Sequence, residues 1–217
     1  MSNSQILKPK KILLFGATGL IGQSLLKKMI SQPQGELIHV LARRSLPADL
    51  QNKSIAEYKM NFDSLDESSD CFKVDTVICA IGTTIKVAGN QEKFRQIDYS
   101  YPLHIARIAK RNGAQNFFLV SALGADQNSS FFYSRVKGQL ETALQLVGFE
   151  SLVIVRPSVL IGEREQTRPL ETISQQLGRL LPKKWKSVPA EIIAQKFISL
   201  LKSPPIGLHI IENQDLF

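Results

Sequence analysis

The chain has 217 residues, 43% hydrophobic and 21% charged, a composition ordinary for a globular protein with one well-filled core. Its net charge of +8 would suit nucleic acid, an acidic membrane surface or an anionic small ligand. The basic residues are scattered and the densest cluster is only Lys183–Lys186, so we interpret them as a solvated face and expect no nucleic-acid partner.

The apolar and cysteine patterns limit where the protein works. No apolar run approaches the roughly 20 residues that a membrane span requires, and residues 1–10 lack the apolar stretch of a signal peptide. Cys71 and Cys79 show no CxxC spacing, which favours reduced thiols over a disulfide. We therefore expect a cytoplasmic protein without integral membrane association. The three histidines are far apart, and no metal site is expected.

The chain begins with a pattern that predicts a strand, a glycine turn and a helix. Ile12–Phe15 is a continuous apolar run typical of a parallel strand that is covered on both faces. Glycines then follow at intervals of three, where missing Cβ atoms permit a tight turn and the approach of a pyrophosphate to the backbone. The next helix would offer unpaired N–H groups to that anion. The predicted dinucleotide-binding residues are Gly16, Thr18, Gly19, Leu20, Ile21 and Gly22.

Strand and helix patterns alternate along the rest of the chain. The predicted strands are Glu36–Ala42, Ile55–Met60, Val74–Ala80, Asn116–Ser121, Ser151–Arg156 and Gly207–Ile211. The predicted helices are Ser64–Asp70, Gln91–Asn112, Ser129–Val147, Leu170–Leu181 and Ala190–Leu201. Pro102 predicts a start or kink near Tyr101 in the second of these. This alternation predicts an α/β fold, a doubly wound parallel sheet with helices on both faces.

Ligands of such sheets lie beyond the carboxyl ends of the strands, so residues that follow each strand are candidates. Arg43 and Arg44 follow the second strand, where a guanidinium suits a 2′-phosphate; this favours NADP(H) over NAD(H), unless the arginines merely solvate the strand end. Asp63 follows the third strand, within reach of an adenine amino group. Small residues that permit close approach to the nicotinamide side follow the fourth: Ala80, Gly82 and Thr83. Each of these positions is equally compatible with a turn residue.

A possible catalytic set follows the fifth strand. Tyr133 and Lys137 are four residues apart and therefore share one face of the predicted helix. A phenol with a reference pKa of about 10 is a poor acid–base catalyst at neutral pH, and a nearby ammonium favours the phenolate. Ser121, at the strand end, is placed to hold a substrate oxygen. The spacing of a tyrosine and a lysine is common by chance, but here it accompanies the glycine motif.

Together these residues resemble the short-chain dehydrogenase/reductase superfamily, and most strongly its atypical branch that contains the Tat-interacting oxidoreductase family. The resemblance spans about Lys11 to Asn213. The segments that carry it are Gly16–Gly22, Leu41–Arg44, Cys79–Thr84, Val120–Asp126, Tyr133–Gly138, Val155–Leu160, Arg164–Pro169 and Ser187–Pro189.

The resemblance implies a single Rossmann domain over residues 1–217 that binds NADPH, with residues 157–217 contributing a small substrate-side region. It implies Ser121, Tyr133 and Lys137 as the catalytic triad, and it places Pro157 and Ser158 in the loop that flanks the nicotinamide. Asp98 falls near the position where many relatives carry a fourth polar residue, usually asparagine. A monomer and a homodimer both agree with the resemblance.

Three functions follow from these observations. The first is an NADP(H)-dependent oxidoreductase that acts on a carbonyl or alcohol, the second an NADPH-sensing binding protein that controls a partner, and the third a nucleotide-sugar epimerase or dehydratase. About sixty residues after Pro157 leave little chain to enclose a nucleotide sugar, which weakens the third. No residue pattern names the substrate.

Overall fold

A computed structural model describes residues 10–33, 35–161 and 182–217. In this part of the chain seven strands form one parallel sheet in the order β3-β2-β1-β4-β5-β6-β9, which confirms the predicted doubly wound α/β fold. These strands are β1 (Lys11–Phe15), β2 (Leu37–Ala42), β3 (Ile55–Lys59), β4 (Thr76–Cys79), β5 (Asn116–Val120), β6 (Ser151–Arg156) and β9 (Gly207–Glu212).

Helices cover both faces of this sheet. The described α-helices are α1 (Leu20–Ser31), α2 (Ile85–Ala88), α3 (Gln91–Arg95), α4 (Tyr101–Arg111), α5 (Phe132–Gln145) and α6 (Ala190–Lys202). Apolar side chains of α1 and α6 pack on one face of the sheet, against residues such as Leu14 and Phe118. Those of α4 and α5 pack on the other, against residues such as Phe15 and Leu119.

The strand order reverses at the centre of the parallel sheet, where β1 pairs with β2 on one side and with β4 on the other. The crossovers from β1 and from β4 leave in opposite directions along the sheet, so their carboxyl ends open a crevice between them. The glycine turn follows β1 and the Ala80–Thr84 segment follows β4, which brings two of the predicted site segments together at this crevice.

The predicted helix over Ser64–Asp70 is wrong. Residues 64–69 form turns and bends, and a short 3₁₀ helix covers Asp70–Phe72 instead. The Asp66 carboxylate accepts hydrogen bonds from the backbone N–H and the hydroxyl of Ser68. This local side-chain bonding competes with helical backbone bonds.

The helix predicted over Gln91–Asn112 is interrupted between α3 and α4 by a π-helical turn, Gln96–Ser100. Pro102 lies in the first turn of α4, as the sequence indicated, and cannot donate to the carbonyl of Asp98 as an α-helical residue would. The N–H of Tyr101 bonds instead to the carbonyl of Gln96. The widened turn contains Asp98, which is fully buried.

A second, two-stranded parallel sheet was not predicted. Its strands are β7 (Leu160–Ile161) and β8 (Val188–Pro189), which bring the chain after β6 beside the start of α6. The predicted helix Leu170–Leu181 and the segment Arg164–Pro169 lie outside the described residues.

Replacement of Gly22 by alanine tests the packing of the glycine turn. A Cβ at Gly22 would lie 2.2 Å from the carbonyl oxygen of Gly16, although an alanine normally stabilises a helix interior relative to glycine. We expect Gly22→Ala to lower the free energy of unfolding by about 1–3 kcal/mol, measured by urea denaturation. Ser24→Ala, in the same helix, is the control and should be neutral or slightly stabilising. A Gly22→Ala protein as stable as the wild type would contradict this account.

Candidate functional site

The glycine turn lies against the end of β4. Gly16 has a φ of +97°, and a Cβ on it would lie 2.5 Å from the carbonyl carbon of Ala80 and the nitrogen of Ile81. The N–H of Ala80 donates to the carbonyl of Phe15 at 2.8 Å, which continues the β1–β4 ladder into the crevice. Only glycine fits at position 16, because both the backbone conformation and the space exclude a side chain.

The start of α1 carries no side-chain cap. Gly19 precedes the helix without a capping hydrogen bond, and no acidic residue lies in the first turn. Leu20 and Ile21 point their side chains into the core, whereas Thr18 is exposed at the mouth of the turn. Among the described residues, no side chain therefore accepts from the first N–H groups of α1, as an anion-binding helix start requires.

Arg43 and Arg44 are both exposed beyond β2. The Arg43 guanidinium lies 5.8 Å from the centre of the Phe62 ring, which directs it along the surface towards the end of β3. Arg44 has no described contact that orients it. Of the two, Arg43 is therefore the better oriented for a bound phosphate.

Asp63, the predicted adenine contact, takes part in a small hydrogen-bond group. Its Oδ1 accepts from the Gln96 side chain and from the Tyr101 hydroxyl, both at 2.5 Å. Burial, with the hydrogen bond to Asp63, raises the pKa of Tyr101 to about 12, so the phenol remains a donor at neutral pH. These bonds fix the Asp63 carboxylate at the edge of the crevice.

The loop after β4 lies over a buried ion pair. The Lys137 ammonium is 2.7 Å from Oδ1 of Asp98, and both side chains are almost fully buried. Oδ2 of the same carboxylate accepts from the backbone N–H of Thr83 at 2.9 Å. Gly82 is exposed directly above, with a hypothetical Cβ 3.8 Å from the Lys137 ammonium. The predicted nicotinamide-side loop and the predicted catalytic lysine thus meet at Asp98.

Tyr133 precedes Lys137 by one turn of α5 and is 36% exposed. Its ring lies 5.5 Å from that of Phe94, which is fully buried. The phenol is close enough to Lys137 to contribute to the raised pKa of that ammonium. A partly exposed tyrosine one helical turn from a buried ammonium is suited to proton transfer.

Ser121 is placed differently from the expectation that its hydroxyl faces a substrate. It is buried, and its hydroxyl donates a short hydrogen bond to Oε1 of Glu141, two turns along α5 from Tyr133. Glu141 in turn accepts three bonds from the Arg156 guanidinium, which also binds Glu212 at 2.8 Å. The single proton of Ser121 is therefore engaged, which leaves its oxygen as an acceptor.

The Pro157–Ser158 loop is tied to the C-terminal residues. The Ser158 N–H donates to Oδ1 of Asn213 at 2.7 Å, and the Pro157 carbonyl accepts from the N–H of Leu123. Asn213, fully buried, also donates to three carbonyl groups of residues 183–186. The lysine-rich segment is thus held at the carboxyl edge by one amide.

Three residues of this edge were missed by sequence reasoning: Glu141, Arg156 and Asn213. The spacing of Tyr133, Lys137 and Glu141 at successive intervals of four is a signal that was available, because it places all three on one helix face. No pattern marks Asn213, since its partners are backbone carbonyls brought near by tertiary structure.

The family and the fold agree with comparisons to known proteins. The sequence profile of the family named HIM1 matches residues 47–186, which is more than half of the chain. This chain belongs to the HIM1 family. Protein HTATIP2 of Rattus norvegicus is 32% identical over 211 residues, covering 94% of this chain and 87% of the relative. The expected resemblance to the Tat-interacting branch is confirmed.

Two further proteins extend this picture. The protein FMP52, mitochondrial, of Candida albicans is 35% identical over 178 residues, covering 79% of this chain and 77% of the relative. Among solved structures, the Bordetella bronchiseptica enzyme WbmG in complex with NAD and UDP matches with a TM-score of 0.70 at 16% identity, over 97% of this chain and 75% of that one. The latter likeness confirms the Rossmann fold.

Within residues 10–33, 35–161 and 182–217, no helix is long and apolar enough to span a membrane. The Candida relative carries the word mitochondrial in its name. The cytoplasmic location expected from the sequence stays a prediction.

Replacement of Glu141 by glutamine tests the buried group beneath Ser121. Glutamine keeps the shape but removes the charge that pairs with Arg156, so we expect Glu141→Gln to lower the free energy of unfolding by about 2–3 kcal/mol in urea at pH 7. Glu212→Gln is the control: this partner of Arg156 is 36% exposed, and its loss should be below about 1 kcal/mol. Equal losses in the two variants would show that burial of Glu141 adds nothing.

Proposed function

We propose that this protein is an NADP(H)-dependent oxidoreductase that acts on a carbonyl or alcohol group. The observation that carries this proposal is the position of Tyr133 and Lys137 on one face of α5, with the Lys137 ammonium beneath the exposed Gly82 at the crevice. An acid–base group and a dinucleotide-type turn thus face the same edge of the sheet.

The residues at the crevice fit a dinucleotide. The turn from Gly16 to Gly22 leads directly into the uncapped start of α1, where a pyrophosphate would bind. Arg43 would bind the 2′-phosphate, and Asp63 the adenine amino group. Ala80, Gly82 and Thr83 would line the ribose and nicotinamide, with Pro157 and Ser158 on the opposite side. The NAD complex of the Bordetella neighbour supports a nicotinamide dinucleotide in this fold.

When bound, NADPH supplies a hydride, and the residues of this chain supply the proton. In carbonyl reduction the cofactor would supply a hydride to the carbonyl carbon, and the Tyr133 hydroxyl would give its proton to the carbonyl oxygen, so that the product would be an alcohol. Lys137, whose pKa is raised because the attraction of Asp98 and Tyr133 outweighs its burial, remains an ammonium and stabilises the phenolate left behind. The reverse sequence oxidises an alcohol.

One observation favours a second candidate, an NADPH-sensing protein with little turnover. The hydroxyl of Ser121 donates to Glu141, so it cannot at the same time donate to a substrate carbonyl. In the oxidoreductase, Ser121 can hold the substrate in two ways. Its oxygen can accept a hydrogen bond from an alcohol substrate, or its hydroxyl can leave Glu141 and donate to a carbonyl substrate. In the sensor, no such rearrangement is needed.

Arg43→Ala tests the cofactor. Loss of charge-assisted bonds to a 2′-phosphate should weaken NADPH binding by about 10–100-fold and NADH binding by less than about threefold, measured by fluorescence titration. Arg111→Ala, at the far end of α4, is the control and should change neither affinity. Equal losses for both cofactors would show that Arg43 does not contact the 2′-phosphate, and no NADPH binding by the wild type would defeat both candidates.

Tyr133→Phe tests the chemistry. Quinones, aldehydes and ketones would be screened for NADPH oxidation by the wild-type protein, and the variant should lose about 10²–10⁴-fold in turnover while it keeps its NADPH affinity. Tyr58→Phe, on the edge strand β3, is the control and should retain full activity. Tight NADPH binding without Tyr133-dependent turnover of any carbonyl class would favour the sensor.

A further inference from the structure

Burial of the Lys137 ammonium is electrostatically unfavourable unless a group of opposite charge lies beside it. The side chain is 4% exposed, and burial alone would lower the pKa of its ammonium and favour the neutral amine. A neutral amine would no longer stabilise a phenolate on Tyr133. The groups that face the ammonium therefore decide whether it can serve in proton transfer.

Among the residues that the structure describes, three ionisable groups from three elements face this ammonium. Asp98, from the π-helical turn, is in direct contact at 2.7 Å. Tyr133 lies on the same helix, and Cys79 comes from the end of β4. Burial raises the pKa of Cys79 to about 12, so this thiol is neutral and contributes no charge. Asp98 is the one carboxylate among the three groups, and its Oδ1 is the atom in contact with the ammonium.

Asp98 also reaches the loop after β4. Its second carboxylate oxygen accepts from the N–H of Thr83, so one side chain joins Lys137 on α5 to the segment that carries Gly82. The side chain points to both partners from the π-helical turn that Pro102 follows. The carboxylate is fully buried, so water screens neither contact.

We propose that Asp98 is a positioning residue: its carboxylate keeps the buried Lys137 protonated and holds the ammonium against the Gly82–Thr83 loop. This inference rests on the proposed function and deepens it, because it assigns the control of the Tyr133 proton to a residue outside the predicted triad. An asparagine at this place would keep the bond to Thr83 and lose the charge that Lys137 needs.

The test is an NMR titration of the lysine side-chain Cε signals. The Lys137 signal is assigned by through-bond correlations from its backbone resonances. In the wild type, Lys137 should show no titration below pH 10. In Asp98→Asn its midpoint should fall below about pH 9, because burial is no longer opposed. In Asp98→Glu, which restores the charge, it should again lie above pH 10.

The chain offers a matched control. Lys73 and Asp70 are also 2.7 Å apart, but both side chains are exposed. Asp70→Asn should shift the midpoint of Lys73 by less than about 0.5 pH units, because water screens this pair. If both asparagine variants shift their lysines equally, or if Lys137 of the wild type titrates near or below pH 10, the inference is overturned. The wild-type result stands even if Asp98→Asn does not fold.

A second measurement separates positioning from a merely structural ion pair. NADPH affinity of the wild type should change less than about twofold between pH 7 and 9, whereas that of Asp98→Asn should fall at least about fivefold as Lys137 loses its proton. The same pH dependence in both proteins would overturn the role in the site. Because the NMR titration needs no cofactor, a protein that fails to bind NADPH loses the proposed function while the protonation of Lys137 is still measured.

Discussion

The contact between the Gly16 turn and the end of β4 is the constraint on which the rest of the site depends. Gly16 meets Ala80 on one side and the start of α1, at Gly22, on the other, and neither contact leaves space for a Cβ. This close packing brings the helix N-terminus, the end of β1 and the loop after β4 within one crevice. A larger residue at either glycine would separate these three segments, and the anion site would separate from the site of proton transfer.

The second level of organisation is the face of α5 that carries Tyr133, Lys137 and Glu141. Each successive residue lies one turn further from the crevice and is more deeply buried: Tyr133 is 36% exposed, Lys137 3% and Glu141 2%. The two buried charges each have a partner of opposite sign, Asp98 and Arg156. Because an unpaired buried charge is strongly unfavourable, these pairs fix the rotation and depth of α5, and with it the position of the Tyr133 phenol.

Much of the fold, and the shared helix face of Tyr133 and Lys137, could be predicted because both depend on residues close in sequence. The alternation of apolar runs and amphipathic helices predicted the parallel sheet, and β6 has the predicted bounds of Ser151–Arg156. The spacing of Tyr133 and Lys137 predicted their common face. What could not be predicted depends on partners distant in sequence: Ser121 bonds to Glu141, and Asn213 to carbonyls some thirty residues earlier. The turns at residues 64–69 were mispredicted because Asp66 bonds within its own segment.

The π-helical turn before α4 links the backbone constraint of Pro102 to the position of the buried Asp98 side chain. Pro102 predicted a start or kink near Tyr101, and the structure resolves it as a π-helical turn followed by α4. In a regular helix the residues of this turn would be wound more tightly, and the direction of the Asp98 side chain would change by part of a turn. The π-helical turn before Pro102 therefore contains the carboxylate, Asp98, that lies between Lys137 and Thr83. The π-helical turn places Asp98, Asp98 contacts Lys137, and Lys137 lies one helical turn from Tyr133, the proposed proton donor.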